Sequence, residues 1–137
     1  MKVLFDTNVV LDALLRRQPW CEDVYALWPA LQNGLLRGYV GASSVTDVSY
    51  IVSKGANLQV AREAVRICLD SFQVAALDKE LLEVAFLRSG RDFEDDLQIV
   101  SAAKLALDAI VTRDAEGFVD SPILILTPSQ CRTHLGV

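Results

Sequence analysis

Four aspartates stand at the ends of apolar runs spread across the chain: Asp6, Asp47, Asp95 and Asp114. Asp6 follows Val3-Leu4-Phe5, and Asp114 follows Ile110-Val111-Thr112-Arg113. A carboxylate just past an apolar strand falls at that strand's carboxyl end, where open α/β sheets form their binding crevices. Several carboxylates brought together there repel one another unless a cation lies between them. The pattern predicts a divalent-metal site, and metal-assisted phosphodiester chemistry is the first function it suggests.

The elements that must position these acids alternate. Lys2 to Phe5 reads as a short buried strand, and Asn8 to Arg16 as a helix that stops near Pro19. A helix from about Glu22 to Gln32 and a strand at Gly38 to Ala42 follow. Ser43 or Ser44 is expected to cap a helix reaching Ser53, closed by Gly55 and Asn57. Leu58 to Leu69 reads as helix, Phe72 to Ala75 as strand, and Asp78 caps a helix reaching about Leu87. After a turn at Ser89-Gly90-Arg91-Asp92, a long helix runs from about Glu94 to Leu107. Ala109 to Thr112 and Ile123 to Leu126 are the last strands, and Pro128 opens a terminal turn. Such alternation predicts an α/β fold in one domain over residues 1–137, with a central, mainly parallel sheet of four to five short strands flanked by helices.

Each acid also has a plain structural use. Asp6-Thr7-Asn8 supplies three capping residues where one helix start needs fewer. Ser44-Val45-Thr46-Asp47 resembles a capping box with Asp in place of Glu. Asp95 and Asp96 both fall in the first turn of the long helix, where carboxylates offset the helix dipole. Gln98, Ser101, Lys104 and Asp108 mark its polar face, and periodicity does not choose between the two aspartates. Asp114 serves equally as a turn residue or as a partner of Arg113.

Composition narrows the classes. In 137 residues, 52% are hydrophobic, enough for a packed core that excludes roughly two-thirds of the unfolded surface. Thirteen Lys plus Arg against 18 Asp plus Glu leave a net charge of −5, which argues against a protein that coats nucleic acid through a basic face. No apolar stretch is long enough for a membrane span, and the first residues do not read as a signal peptide. Cys21, Cys68 and Cys131 are widely spaced, with no C-x-x-C pair, so reduced core thiols in a cytoplasmic protein are expected. No Cys/His cluster supports structural zinc, His134 stands alone, and no glycine-rich loop supports a nucleotide cofactor. Trp20, Tyr25, Leu27 and Trp28 form a helix with more aromatic surface than a small core needs, either packed inside or presented to a partner.

Leu4-Phe5-Asp6-Thr7-Asn8-Val9, followed by Asp12, resembles the opening motif of PIN-domain ribonucleases. Asp92-Phe93-Glu94-Asp95-Asp96-Leu97-Gln98, a small-residue helix, then Ile110-Val111-Thr112-Arg113-Asp114 and Phe118 resemble the closing one. The resemblance runs from Val3 to about Leu126 and is nearest to VapC-type toxins of toxin–antitoxin pairs. It implies metal-site carboxylates at Asp6, Asp95 and Asp114, and polar support from Asn8 and Thr112. The family's second acid is usually Glu; here Asp47 stands in that place, one methylene shorter. Asp96 stands where the family often has a small apolar residue. The activity implied is Mg²⁺- or Mn²⁺-dependent hydrolysis of RNA phosphodiesters, by a homodimer neutralised by a protein antitoxin. An inactive PIN-like domain that binds RNA or a protein is the alternative. A receiver-like phosphoacceptor domain lacks its lysine here, and a FLAP-like DNA nuclease needs a longer chain.

Overall fold

The computed structural model describes residues 1–137. Five short strands, β1 (Lys2–Phe5), β2 (Arg37–Gly41), β3 (Gln73–Ala75), β4 (Ala109–Val111) and β5 (Leu124–Leu126), form one sheet in the order β3-β2-β1-β4-β5. Every pairing is parallel. The helices are α1 (Thr7–Leu14), α2 (Cys21–Gln32), α3 (Ala42–Gly55), α4 (Leu58–Ser71), α5 (Lys79–Arg88), α6 (Phe93–Lys104) and α7 (Pro128–Leu135). The α/β architecture is thus the one the alternating pattern predicts. After β1 the chain builds outward through β2 and β3, then returns to add β4 and β5 on the other side. That reversal leaves a crevice beyond the carboxyl ends of β1 and β4, the place where such sheets bind ligands.

Strand alternation divides the core and aims the site. Val3, Phe5, Ala109 and Val111 belong to the larger cluster, with residues of α1, α2, α3 and α4. Leu4 and Ile110 face the other way, against Ile99, Ala102, Leu107 and Phe118. Successive side chains on a strand point to opposite faces, so Asp6 and Thr112 continue the parity of Leu4 and Ile110 and turn toward α6. Asp6 N–H donates to Val111 O at 2.9 Å, locking the two strand ends together just where the carboxylate emerges.

Several local expectations are corrected. The N-cap of α3 is Gly41, with no side-chain cap bond, so neither Ser43 nor Ser44 caps that helix and Asp47 belongs to no capping box. Gln98 and Ser101 are buried rather than part of a solvated face, because α6 is covered on nearly all sides between Asp96 and Ala102. Beyond β5, Pro128 opens a helix instead of a turn: Thr127 and Gln130 form a reciprocal capping box, and the Pro occupies the first turn, where no N–H is missed. Arg113 pairs with Asp12, not with Asp114.

Gly38 on β2 lies under two aromatic rings that pack on each other, Phe5 and Phe72, with centroids 5.3 Å apart. A Cβ there would fall 2.7 Å from Phe72 Cδ1, 2.8 Å from Leu31 Cδ2 and 3.0 Å from Phe5 Cε2. Gly38→Ala is therefore expected to overpack the core and cost about 1–3 kcal/mol, read as a lower urea midpoint with an unchanged m-value.

Candidate functional site

Asp6 has the backbone geometry of an N-cap for α1, yet its side chain makes no cap bond. Its two oxygens are held from elsewhere. Gln98 Nε2 donates to Oδ1 at 2.9 Å, and Thr112 Oγ1 donates to Oδ2 at 2.7 Å. Asp6 is 7% exposed and Thr112 is fully buried, so these bonds are made in a low-dielectric setting where they fix the carboxylate's orientation. Thr112 Oγ1 also accepts from Asp114 N–H at 3.0 Å, which ties the third strand-end acid to the first. Each carboxylate oxygen of Asp6 has a second lone pair left for a cation.

Asp95 and Asp96 separate completely. Asp96 is buried, ion-paired with Arg88 at 3.3 Å, and accepts from Gly90 N–H at 2.8 Å. It anchors the α5–α6 turn. Asp95, one position earlier, shares a helical face with Gln98, Ile99 and Ala102, and that face looks onto β1 and β4. Burial, then the charges of Asp92, Asp6, Asp114 and Glu94, push its carboxyl up to about 7. Gly117, in the short 3₁₀ turn Ala115–Phe118, sits against both distal acids: a Cβ there would lie 2.7 Å from Asp95 Oδ2 and 3.3 Å from Asp114 Oδ2. Only the missing side chain lets these two carboxylates approach.

Glu94 is the acid that the sequence reading passed over. Its carboxyl is raised by burial first, then by the charge and hydrogen bond of Asp47, then by Asp6 and Asp92. Asp47 thus reaches the crevice from α3 through Glu94. Thr7 Oγ1 lies 2.8 Å from Ser44 Oγ and 3.5 Å from Glu94 Oε1, which joins α1, α3 and α6 by side-chain contacts. Gln98 was also missed, because as a position on α6 it reads as polar surface; only the Asp6 partner reveals it. Asn8 takes part in no such bond. Its Oδ1 is buried and unpartnered.

Asp6, Asp47, Asp92, Glu94, Asp95 and Asp114 have no cationic partner: the ion pairs of the molecule all lie on other acids. As they stand, no three of these side chains are grouped to hold a metal ion. Like charges with nothing between them stay apart. The donor set fits a hard divalent ion in type and charge, being all carboxylate oxygen with uncompensated negative charge.

The charge crowding has a consequence for metal-free stability. The Asp95 carboxyl is held near 7 in the fold against 3.8 in a free chain, so the folded state carries the extra proton between those values. That contribution is complete below about pH 4 and is lost as pH rises through about 7. Asp95→Asn is expected to raise the melting temperature of metal-free protein at pH 8 by roughly 3–5 °C, about 1 kcal/mol after discounting for solvent screening. At pH 4 the variant and parent should melt together. A gap as large at pH 4 as at pH 8 would contradict the electrostatic cause.

A doubly covered parallel sheet with an acidic crevice at its switch point defines the class: an α/β domain built to gather carboxylates. The PIN domain family model matches residues 2–116, and the chain belongs to that family. No curated protein matches it in sequence. Solved structures share the fold. VapC20 of Mycobacterium tuberculosis, described as a sarcin–ricin loop cleaving toxin, aligns with a TM-score of 0.70 at 12% identity, covering 86% of this chain and 94% of that one. VapBC2 of Rickettsia felis, bound to a DNA fragment from its promoter, aligns at 0.69 and 15% identity over 93% and 98%. A toxin–antitoxin complex from Klebsiella pneumoniae aligns at 0.68 and 19% identity over 92% and 97%.

Proposed function

We propose that this chain is a metal-dependent endoribonuclease, the toxin of a toxin–antitoxin pair. The observation that carries the reading is the crowding of Asp95 by the charges of Asp6 and Asp114 at the β1–β4 crevice, with no cationic side chain paired to any of the three, in a chain of the PIN family. Asp6, Asp95 and Asp114 would hold Mg²⁺ or Mn²⁺. A bound ion of this kind would supply an activated water and neutralise negative charge on the phosphoryl and leaving oxygens. The protein's own share is orientation. Gln98 and Thr112 hold the Asp6 carboxylate, Thr112 holds the Asp114 backbone, and Gly117 keeps space for Asp95 and Asp114. Glu94, its carboxyl raised by burial and by the neighbouring Asp47, would take or return a proton at the crevice edge.

The toxin–antitoxin solved structures support an antitoxin as partner. Exposed Tyr50, Leu58, Phe86 and Leu87 support protein contacts, including a homodimer. Three buried free cysteines suit a reducing cytoplasm; no helix is long and apolar enough to cross a membrane. One feature favours a second reading, a PIN-like domain that binds RNA or protein without cutting it: Asp47 engages Glu94 rather than Asp95.

A panel of structured RNAs incubated with Mg²⁺ or Mn²⁺, beside EDTA controls, tests the proposal. Cleavage abolished by EDTA and restored by added metal is the expected result. Intact RNA after incubation with folded protein that binds the metal would favour the silent domain.

A further inference from the structure

Trp20 stands at the start of α2 with 44% of its surface exposed, yet it is not loosely held. The Arg113 guanidinium lies over its ring, 4.2 Å from the centroid. Arg113 is itself clamped: Nε donates to Asp12 Oδ2 at 2.7 Å and Nη2 to Asp12 Oδ1 at 3.2 Å. Asp12 is fully buried in α1. The indole is therefore backed on one face by a cation that cannot swing away, and its open surface borders a cavity of about 240 Å³. Trp20, Asp23, Arg113, Thr127, Pro128 and Ser129 line that cavity. The charge of Asp23 is answered by Arg132 at 2.7 Å. Arg113 keeps Nη1 without a protein acceptor. The cavity opens at the carboxyl ends of β4 and β5, and Arg113 directly precedes Asp114 in the chain.

We infer that this cavity is a nucleobase subsite, in which an unpaired base of single-stranded RNA stacks on Trp20 and sets the next phosphate at the carboxylate crevice. The inference rests on the ribonuclease reading and adds a binding contact to it. Its physical logic lies in charge. The chain carries a net −5, and the crevice acids are unneutralised, so phosphate attraction does little to hold RNA here. Stacking is not opposed by that field. It accepts any base, because every base has a π-face, and a guanidinium behind the ring strengthens the platform. A planar, uncharged base suits a rigid indole, and Arg113 Nη1, which has no acceptor in the protein, is left to meet a phosphate beside it.

The test uses a Trp28→Phe, Asp95→Asn chain, in which Trp20 is the sole indole and cleavage is suppressed, with short single-stranded oligoribonucleotides and Mg²⁺. RNA should quench the Trp20 emission. Trp20→Ala in the Asp95→Asn chain should weaken binding by about tenfold, by a similar factor at low and high salt, and Trp20→Phe by less than about threefold. An oligonucleotide with abasic positions should bind parent and Trp20→Ala alike. A melting temperature unchanged in Trp20→Phe and only slightly lower in Trp20→Ala, which loses the Arg113 contact, separates this from a structural role. Equal RNA affinity in parent and Trp20→Ala, or emission unmoved by RNA that binds, overturns the subsite while leaving the nuclease reading intact. Emission that responds to a partner polypeptide but not to RNA also overturns it, and assigns the platform to a protein. RNA neither bound nor cut by any form fails the nuclease reading itself, and the subsite with it.

Discussion

Asp6→Asn and Asp95→Asn should each lose RNA cleavage by on the order of 10³-fold, while Asp96→Asn, one residue from the second of them, should stay within a few-fold of the parent at a permissive temperature. The contrast follows from where each carboxylate is committed. Asp6 and Asp95 face the crevice without a cationic partner, and Asn at either place keeps the shape but removes the charge that would hold a divalent ion. Asp96 is spent on Arg88 and the Gly90 N–H, so its loss is expected in stability, as a lower melting temperature. Gln98→Leu belongs between these cases. It leaves every acid in place but frees Asp6 Oδ1, and an orienting partner of a ligand is worth about 10–100-fold. Cleavage rates under saturating Mg²⁺, with melting curves on the same samples, resolve the series. Loss of equal size in Asp96→Asn and Asp95→Asn would remove the basis for assigning the site.

Arg113→Met should destabilise the fold by about 3–5 kcal/mol, toward the lower figure because Arg17 remains 3.7 Å from Asp12. The cause is not a lost surface contact. Asp12 has no exposure to water, and the two Arg113 bonds are its principal compensation. Removing one partner of a buried pair leaves the other charge desolvated, whereas replacing both with apolar groups removes the need for the pair. The Asp12→Leu, Arg113→Met double variant should therefore recover most of the lost stability in urea denaturation. Additive losses in the double variant would mean that Arg113 acts through Trp20 rather than through Asp12.

Periodicity and strand-end position were sufficient, from sequence alone, to predict alternating elements, a parallel α/β sheet and acids at the carboxyl ends of the first and fourth strands. Both depend on local rules: a period near two or 3.6 and a polar residue where an apolar run stops. The motif around Asp95 likewise pointed to that residue over its neighbour, though helical spacing did not. What lay beyond reach were properties of pairs distant in sequence. Asp6 and Gln98 are 92 positions apart, Asp12 and Arg113 101, Thr7 and Ser44 37. A single side chain carries no mark of which distant group it will meet, so Gln98 reads as polar surface until Asp6 is brought opposite it. Ser44 reads as a cap until the backbone places Gly41 there instead. Residue types and spacing determined that acids would collect at one end of the sheet. The packing of α6 across the β1–β4 reversal decided which acid faces that crevice, which is buried in an ion pair, and which polar groups hold the first in place.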